Sequence, residues 1–159
     1  MVAGESSVQE ANKSLIRRYL EEIYRGNLDI RDKVIGEDYV GTAGRVPPAQ
    51  YKANFGTLRR AFPEIKIRFD ALTAEGDWVA MHCTIDGTHL GEWRNVPATG
   101  KHATWTATAF RRVRDGKVVQ GYATFDWLSV LRLAPPLRPI ARRGRGTDDL
   151  TASNTFEES

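Results

Sequence analysis

Two side chains in this sequence have the chemistry and the surroundings of proton-transfer groups. Asp126 is the one carboxylate in the run Gly-Tyr-Ala-Thr-Phe-Asp-Trp-Leu-Ser-Val-Leu that ends at Leu131. A carboxyl held in an apolar pocket has its pKa raised, and near neutrality it can take and return a proton. His82 carries an imidazole, the side-chain type suited to proton transfer, which can donate to a carbonyl or a developing oxyanion. Each also has a plainer reading. Asp-Trp-Leu-Ser is a good helix N-terminus with Asp126 as its cap, and a histidine within a strand is commonly held by a structural hydrogen bond.

The elements that must position these groups are legible from periodicity. Ser7-Val8-Gln9-Glu10 has the form of a capping box, and Ile16, Tyr19, Leu20, Ile23 and Tyr24 then recur at helical spacing until Gly26-Asn27. Residues 28–34 read as a short helical piece, and Asp38-Tyr39-Val40-Gly41 runs into a loop ending at Pro47-Pro48. Pro48 suits a first helical turn, Tyr51, Phe55, Leu58 and Phe62 follow on one face, and Pro63 terminates the helix. Beyond it the period becomes two. Ile65, Ile67, Phe69 and Ala71 alternate with charged residues, Glu75-Gly76-Asp77 makes a turn, and 78–90, 104–114 and 118–131 read as further strands. Asp115-Gly116 is a hairpin signal. Helices followed by an antiparallel sheet predict an α+β fold.

Alternation also groups the candidates. Gln120, Tyr122, Thr124 and Asp126 share one face of the last strand, against Val119, Gly121, Ala123, Phe125 and Trp127. His82 falls with Ala80, Thr84, Asp86 and Thr88, and Thr106 and Thr108 fall with Thr104 and Phe110, against Trp105, Ala107 and Ala109. Facing the helices, these polar faces would line a small-molecule pocket; facing water, they would leave the apolar faces to form the core. Periodicity alone leaves both arrangements open.

Composition sets the outer limits. The 159 residues suit one domain, with 41% hydrophobic and 27% charged residues and no apolar run long enough to span a bilayer. No basic, apolar leader is readable at the start, so a cytoplasmic protein is expected. The net charge of +3 is mostly interleaved with acids and is no argument for nucleic acid. Residues 1–133 form the expected domain. Residues 134–159, rich in Pro, Gly and Arg and then acidic, read as a disordered tail. The single cysteine, Cys83, excludes cysteine-based zinc patterns, and His82, Asp86 and His89 do not share one strand face, so no metal is expected. His89 and His102, near strand ends, are expected to be exposed. No phosphate-cradling glycine loop and no Gly-x-Ser-x-Gly elbow occurs, and no cofactor is expected.

The ordered motifs Asp38-Tyr39-Val40, Ala61-Phe62-Pro63, Gly76-Asp77-x-Val79-Ala80, Gly87-Thr88-His89-x-Gly91-Glu92, Pro97-x-Thr99-Gly100-Lys101, Asp115-Gly116-Lys117-Val118 and Asp126 resemble those of the SnoaL-like polyketide cyclases, within the nuclear transport factor 2-like superfamily. The resemblance implies a cone-shaped α+β barrel around an apolar cavity, a homodimer or higher homo-oligomer formed through the outer sheet face, and a hydrophobic small-molecule substrate. It implies an aldol-type cyclase or isomerase of antibiotic or related natural-product biosynthesis, free of metal and cofactor, with Asp126 as general acid/base, and it places Gln120, Tyr122, Thr124 and Asp126 on the cavity side. On the chemistry of the residues themselves His82 is expected to assist, Thr106 and Thr108 to contact substrate, and Tyr24, Trp93 and, despite its opposite parity, Trp105 to form aromatic walls. A cofactor-free hydroxylase and a non-catalytic binding protein share the scaffold as alternatives. Many members carry a histidine two positions after Asp-Tyr-Val, where this chain has Gly41-Thr42.

Overall fold

The computed structural model describes residues 2–132, so the tail expected from 134 lies outside the described residues. Helix α1 (Val2–Arg25) begins ahead of Ser7, which therefore lies within the helix instead of capping it. It buries Ile16, Tyr19, Leu20, Ile23 and Tyr24, the stripe that the 3.6-residue period marks out. Gly26, at φ +105°, ends it: the amides of Gly26 and Asn27 return to the carbonyls of Ile23 and Glu22, a reversal that favours glycine. A short helix α2 (Ile30–Val34) feeds strand β1 (Ile35–Gly41), so the segment around Tyr39 is a strand and not a lead into a loop. Strand β2 (Gly44–Arg45) folds back on β1, and helix α3 (Pro48–Ala61) starts on Pro48 and stops before Pro63.

Four longer strands follow: β3 (Lys66–Glu75), β4 (Trp78–Thr88), β5 (His102–Arg114) and β6 (Lys117–Phe125), and helix α4 (Trp127–Leu131) closes the described chain. The six strands form one curved, unclosed sheet in the order β2-β1-β6-β5-β4-β3. All pairings are antiparallel except β1 with β6, which is parallel. At the β5–β6 hairpin Asp115 and Gly116 both take positive φ, the geometry that such a two-residue turn needs.

Two bulges shift the parity that simple alternation assigns. Pairing slips between Phe69 and Ala71, so beyond it Leu72 and Ala74 turn inward while Ala71, expected inside, is exposed. On β6 the slip opposite Arg112 and Val113 leaves Val119 as the extra residue, and both Val118 and Gly121 turn inward.

The inward face of the sheet is the apolar one. Val79, Met81, Cys83 and Ile85 of β4 and Trp105, Ala107 and Ala109 of β5 are buried together with the α1 stripe. Burying each large aliphatic side chain is worth about 1.5–3 kcal/mol, whereas turning the threonines inward would strand hydroxyls. This corrects the expectation that the polar faces line the cavity. His82, Thr108, Tyr122, Thr124 and Asp126 stand exposed on the outer face, with Thr106 half-buried there.

Candidate functional site

Between α1, α3 and the inner face near β1, β5 and β6 lies a cavity of about 450 Å³. Its wall is aromatic. Tyr24 of α1 and Tyr51 of α3 both lie against Phe55, with ring centroids 5.6 and 5.4 Å away, while Trp93 and Trp127 pack together at 5.0 Å. Gly121, Ala123 and Phe125 of β6 contribute the sheet side.

Trp93 reaches the cavity because residues 89–101 are pinned down at several points. The amides of Leu90 and Gly91 donate to the Ala61 carbonyl at 2.9 and 3.1 Å, and Trp93 and Val96 exchange backbone hydrogen bonds across Arg94 and Asn95, both at positive φ. A Cβ on Gly91 would overlap the Arg60 carbonyl, so this approach requires glycine. His89 anchors the same loop. Contrary to the exposure expected of it, it is 1% exposed, stacked on Phe62 at 5.2 Å, with Nδ1 3.1 Å from Thr99 Oγ1. Burial pushes its pKa down, which favours the neutral ring. His102 is exposed as expected.

The polar centre of the cavity is Arg111. It lies on the apolar face of β5, two residues beyond Ala109, and is only 8% exposed. Its Nη1 donates to the Tyr39 hydroxyl in a very short contact. Arg111 and Gly121 are partners across the β5–β6 ladder, and a Cβ at 121 would collide with both the guanidinium and the Tyr39 hydroxyl. Glycine thus makes the room in which the pair sits. Burial works against the Arg111 charge, but a guanidinium does not lose its proton near neutral pH, so it stays ionised among the phenols of Tyr51, Tyr39, Tyr19 and Tyr24. Burial raises the pKa of Tyr39, and the Arg111 charge only partly reverses this, so Tyr39 is a neutral phenol polarised by a cation. Tyr19 and Tyr51 join their hydroxyls in another short contact on the same side.

Asp126 is placed elsewhere. Its carboxylate caps α4, accepting from the Ser129 amide at 3.2 Å and from the Ser129 hydroxyl at 2.5 Å. These bonds hold its pKa below the usual carboxylate range, the reverse of what a neutral-pH acid/base needs. The cap has a consequence for the cavity, because it turns the chain so that Trp127 stacks on Phe125 at 4.8 Å and meets Trp93. His82 bonds Thr108 through Nδ1 at 3.0 Å on the outer surface. Of the side chains expected to form the site, Tyr24 and Trp93 line the cavity. Thr106, Thr108, Tyr122 and Thr124 do not, and Trp105 is buried against Phe62 instead, 5.2 Å away. No Asp, Glu or His occurs among the described residues lining the cavity, and no metal-binding cluster of His, Cys, Asp and Glu among the described residues.

Sequence reasoning missed Arg111 and Tyr39. The signal was present: an arginine in phase with Trp105, Ala107 and Ala109 is out of place on a core face, and Gly121 is in phase on the next strand.

With its α+β layering and aromatic cavity in view, the chain can be placed: it belongs to the SnoaL-like polyketide cyclase family, whose sequence model matches residues 13–133. Solved structures agree. AclR, a putative hydroxylase from Streptomyces galilaeus, is 27% identical with a TM-score of 0.73, over 79% of this chain and 96% of that one. IdmH, a putative polyketide cyclase from Streptomyces antibioticus, is 25% identical with a TM-score of 0.68, over 77% and 96%. A putative polyketide cyclase from Acidithiobacillus ferrooxidans is 26% identical with a TM-score of 0.69, over 76% and 92%. No curated protein matches the chain. Among the described residues no helix is long and apolar enough to cross a membrane.

Proposed function

We propose that the chain closes a ring in, or isomerises, a flat polyketide-like molecule held in the aromatic cavity, with Tyr39 and Arg111 rather than Asp126 and His82 as the reacting pair. The observation that carries this reading is the buried Arg111–Tyr39 contact in a cavity walled mostly by aromatic and aliphatic groups, with Thr42, Asn54, Thr57 and the exposed Arg94 as its other polar lining. Family membership supplies the reaction class. In an aldol closure the enolate carbon attacks a second carbonyl carbon of the same molecule and the new C–C bond forms. The carbonyl π pair moves to oxygen, and that oxygen takes the Tyr39 hydroxyl proton. Water at the cavity mouth then reprotonates the phenolate. Arg111 stabilises negative charge at both stages, and a fixed cation kept from water is effective at this. The walls hold the two reacting carbons together.

Likeness to a putative hydroxylase supports a second reading on the same scaffold, in which the enolate meets an external oxidant. A third possible outcome is binding without turnover. One assay separates them: incubate the protein with a synthetic aryl poly-β-ketone ester and follow products by mass spectrometry. Ring closure gives an isomer or its dehydrated form, whereas hydroxylation adds an oxygen. Tyr39→Phe is expected to cut turnover about 100-fold or more, the usual scale for losing a general acid. Asp126→Asn should leave turnover nearly intact. The reverse ranking would overturn the assignment. Self-association belongs to the same proposal and is assigned to the outer sheet face, where Phe110 and Tyr122 are exposed.

A further inference from the structure

Arg111 poses a problem of charge balance. A guanidinium withdrawn from water costs several kcal/mol unless an opposite charge accompanies it. The other buried arginine, Arg31, is 3.6 Å from the Asp32 carboxylate and donates from Nη2 to the Gly36 carbonyl at 3.0 Å. Arg111 has neither kind of partner. Among the described residues no carboxylate lies within 4 Å of it, and its only side-chain acceptor is the Tyr39 phenol. Its Nε is buried and donates to nothing. The groups facing it are phenols, those of Tyr19, Tyr24, Tyr39 and Tyr51. Burial raises the pKa of Tyr19, Tyr24 and Tyr39, so these three supply no negative charge at neutral pH. The site therefore holds a fixed positive charge beside 450 Å³ of space.

The cavity has a second gap. Enolate chemistry begins by removing a proton, yet among the described lining residues there is no carboxylate and no imidazole to take it.

Building on the enolate reading above, we infer that the cavity takes its ligand already ionised, as an oxygen anion seated on Arg111. An enolate closes both gaps together: it supplies the missing counter-charge, and its proton has gone to bulk water before binding, so the protein needs no base. Two chemistries provide an anion at neutral pH: an acidic β-dicarbonyl enol, which closes both gaps, and a carboxylate, which closes the first alone.

The test uses the full chain and two matched pairs of flat probes, measured by isothermal titration calorimetry. Triacetic acid lactone, an enol ionised at neutral pH, is compared with its enol methyl ether, and naphthoate with naphthamide. At least one anion is expected to bind about tenfold or more tightly than its neutral partner, the scale of a charged hydrogen bond shielded from water. Preference within the lactone pair alone assigns the enol; preference within the naphthoate pair alone assigns the carboxylate. Arg111→Gln should abolish the preference and Arg111→Lys should keep part of it. Equal affinity within both pairs, a preference for the neutral probes, or no saturable binding of either anion would overturn the inference. The wild-type comparison decides the matter even if Arg111→Gln fails to fold. Because it reads binding alone, failure here is separate from failure to turn over the poly-β-ketone ester.

Discussion

Arg111 and Gly121 face each other across the β5–β6 ladder, and the absence of a side chain at 121 is what lets the guanidinium lie over β6 and reach the Tyr39 hydroxyl. Gly121→Ala would place a methyl group where both polar atoms now sit. A loss of about 1–3 kcal/mol in urea unfolding is expected, the usual cost of overfilling a packed interior. Turnover should fall with it, because Arg111 must move. A stable, fully active Gly121→Ala protein would show that the pair is not held as described.

Asp126 separates a structural from a chemical role. As the N-cap of α4 its carboxylate can be replaced by the amide of asparagine, whereas alanine removes the acceptor. Asp126→Asn is therefore expected to lower the melting temperature slightly, by the charged part of the cap, and to retain turnover, and Asp126→Ala to lower the melting temperature further and disturb Trp127 fluorescence. Loss of turnover in the stable Asn variant would restore Asp126 as a proton carrier.

The same cap gives an acid response of known sign. Hydrogen bonds from Ser129 depress the folded-state pKa of Asp126, so the unfolded chain binds the proton first as pH falls. Its contribution is present above the ordinary aspartate range and is lost as pH drops through the depressed folded value. His89 acts in the same direction at higher pH. Burial lowers its pKa, so below the ordinary histidine value of about 6.5 the unfolded state takes up a proton that the folded state resists. Stability should decline from about pH 7 toward pH 5 in wild type, and His89→Phe should flatten that limb. A profile equally steep in both proteins would remove His89 from the account.

His82 offers a control. It is exposed, and its one side-chain hydrogen bond is to Thr108 on the outer face of the sheet. His82→Gln is expected to leave turnover unchanged and the unfolding free energy within about 0.5 kcal/mol of wild type, as for most surface substitutions. A large fall in turnover would place chemistry on the outer face.

Local patterns in the sequence were enough to find most of the elements, but not β1, nor the end of the last strand, which stops at Phe125 and gives way to α4 instead of running to Leu131. The 3.6-residue stripe of α1, the Pro48 start of α3 and the Asp115-Gly116 turn each depend on neighbouring residues, and each is where periodicity puts it. The inward side of the sheet was harder, because alternation is symmetric: it separates Asp126 from Phe125 without saying which faces the helices. The resemblance to cavity-bearing cyclases suggested the polar side, and packing decided otherwise, since Val79, Met81, Cys83 and Ile85 fit against α1 and threonines would not. Asp126 carried two readings, and the structure realises the helix cap. Residues 89–101 were illegible because hydrogen bonds to Ala61, distant in sequence, define the loop. Tyr39 was missed for a related reason: β1 pairs in parallel with β6, and a parallel partner far along the chain leaves no local signature.

The central claim is that ligand chemistry takes place at Arg111 and Tyr39, inside the cavity. A crystal structure with triacetic acid lactone bound tests it most directly. The account predicts the ionised enol oxygen within hydrogen-bond distance of the Arg111 guanidinium Nη atoms and of the Tyr39 hydroxyl, with the ring between Tyr51, Phe55 and Trp93. A lactone bound on the outer face beside His82 and Asp126, or one lying in the cavity with its enol oxygen turned away from Arg111, would contradict it.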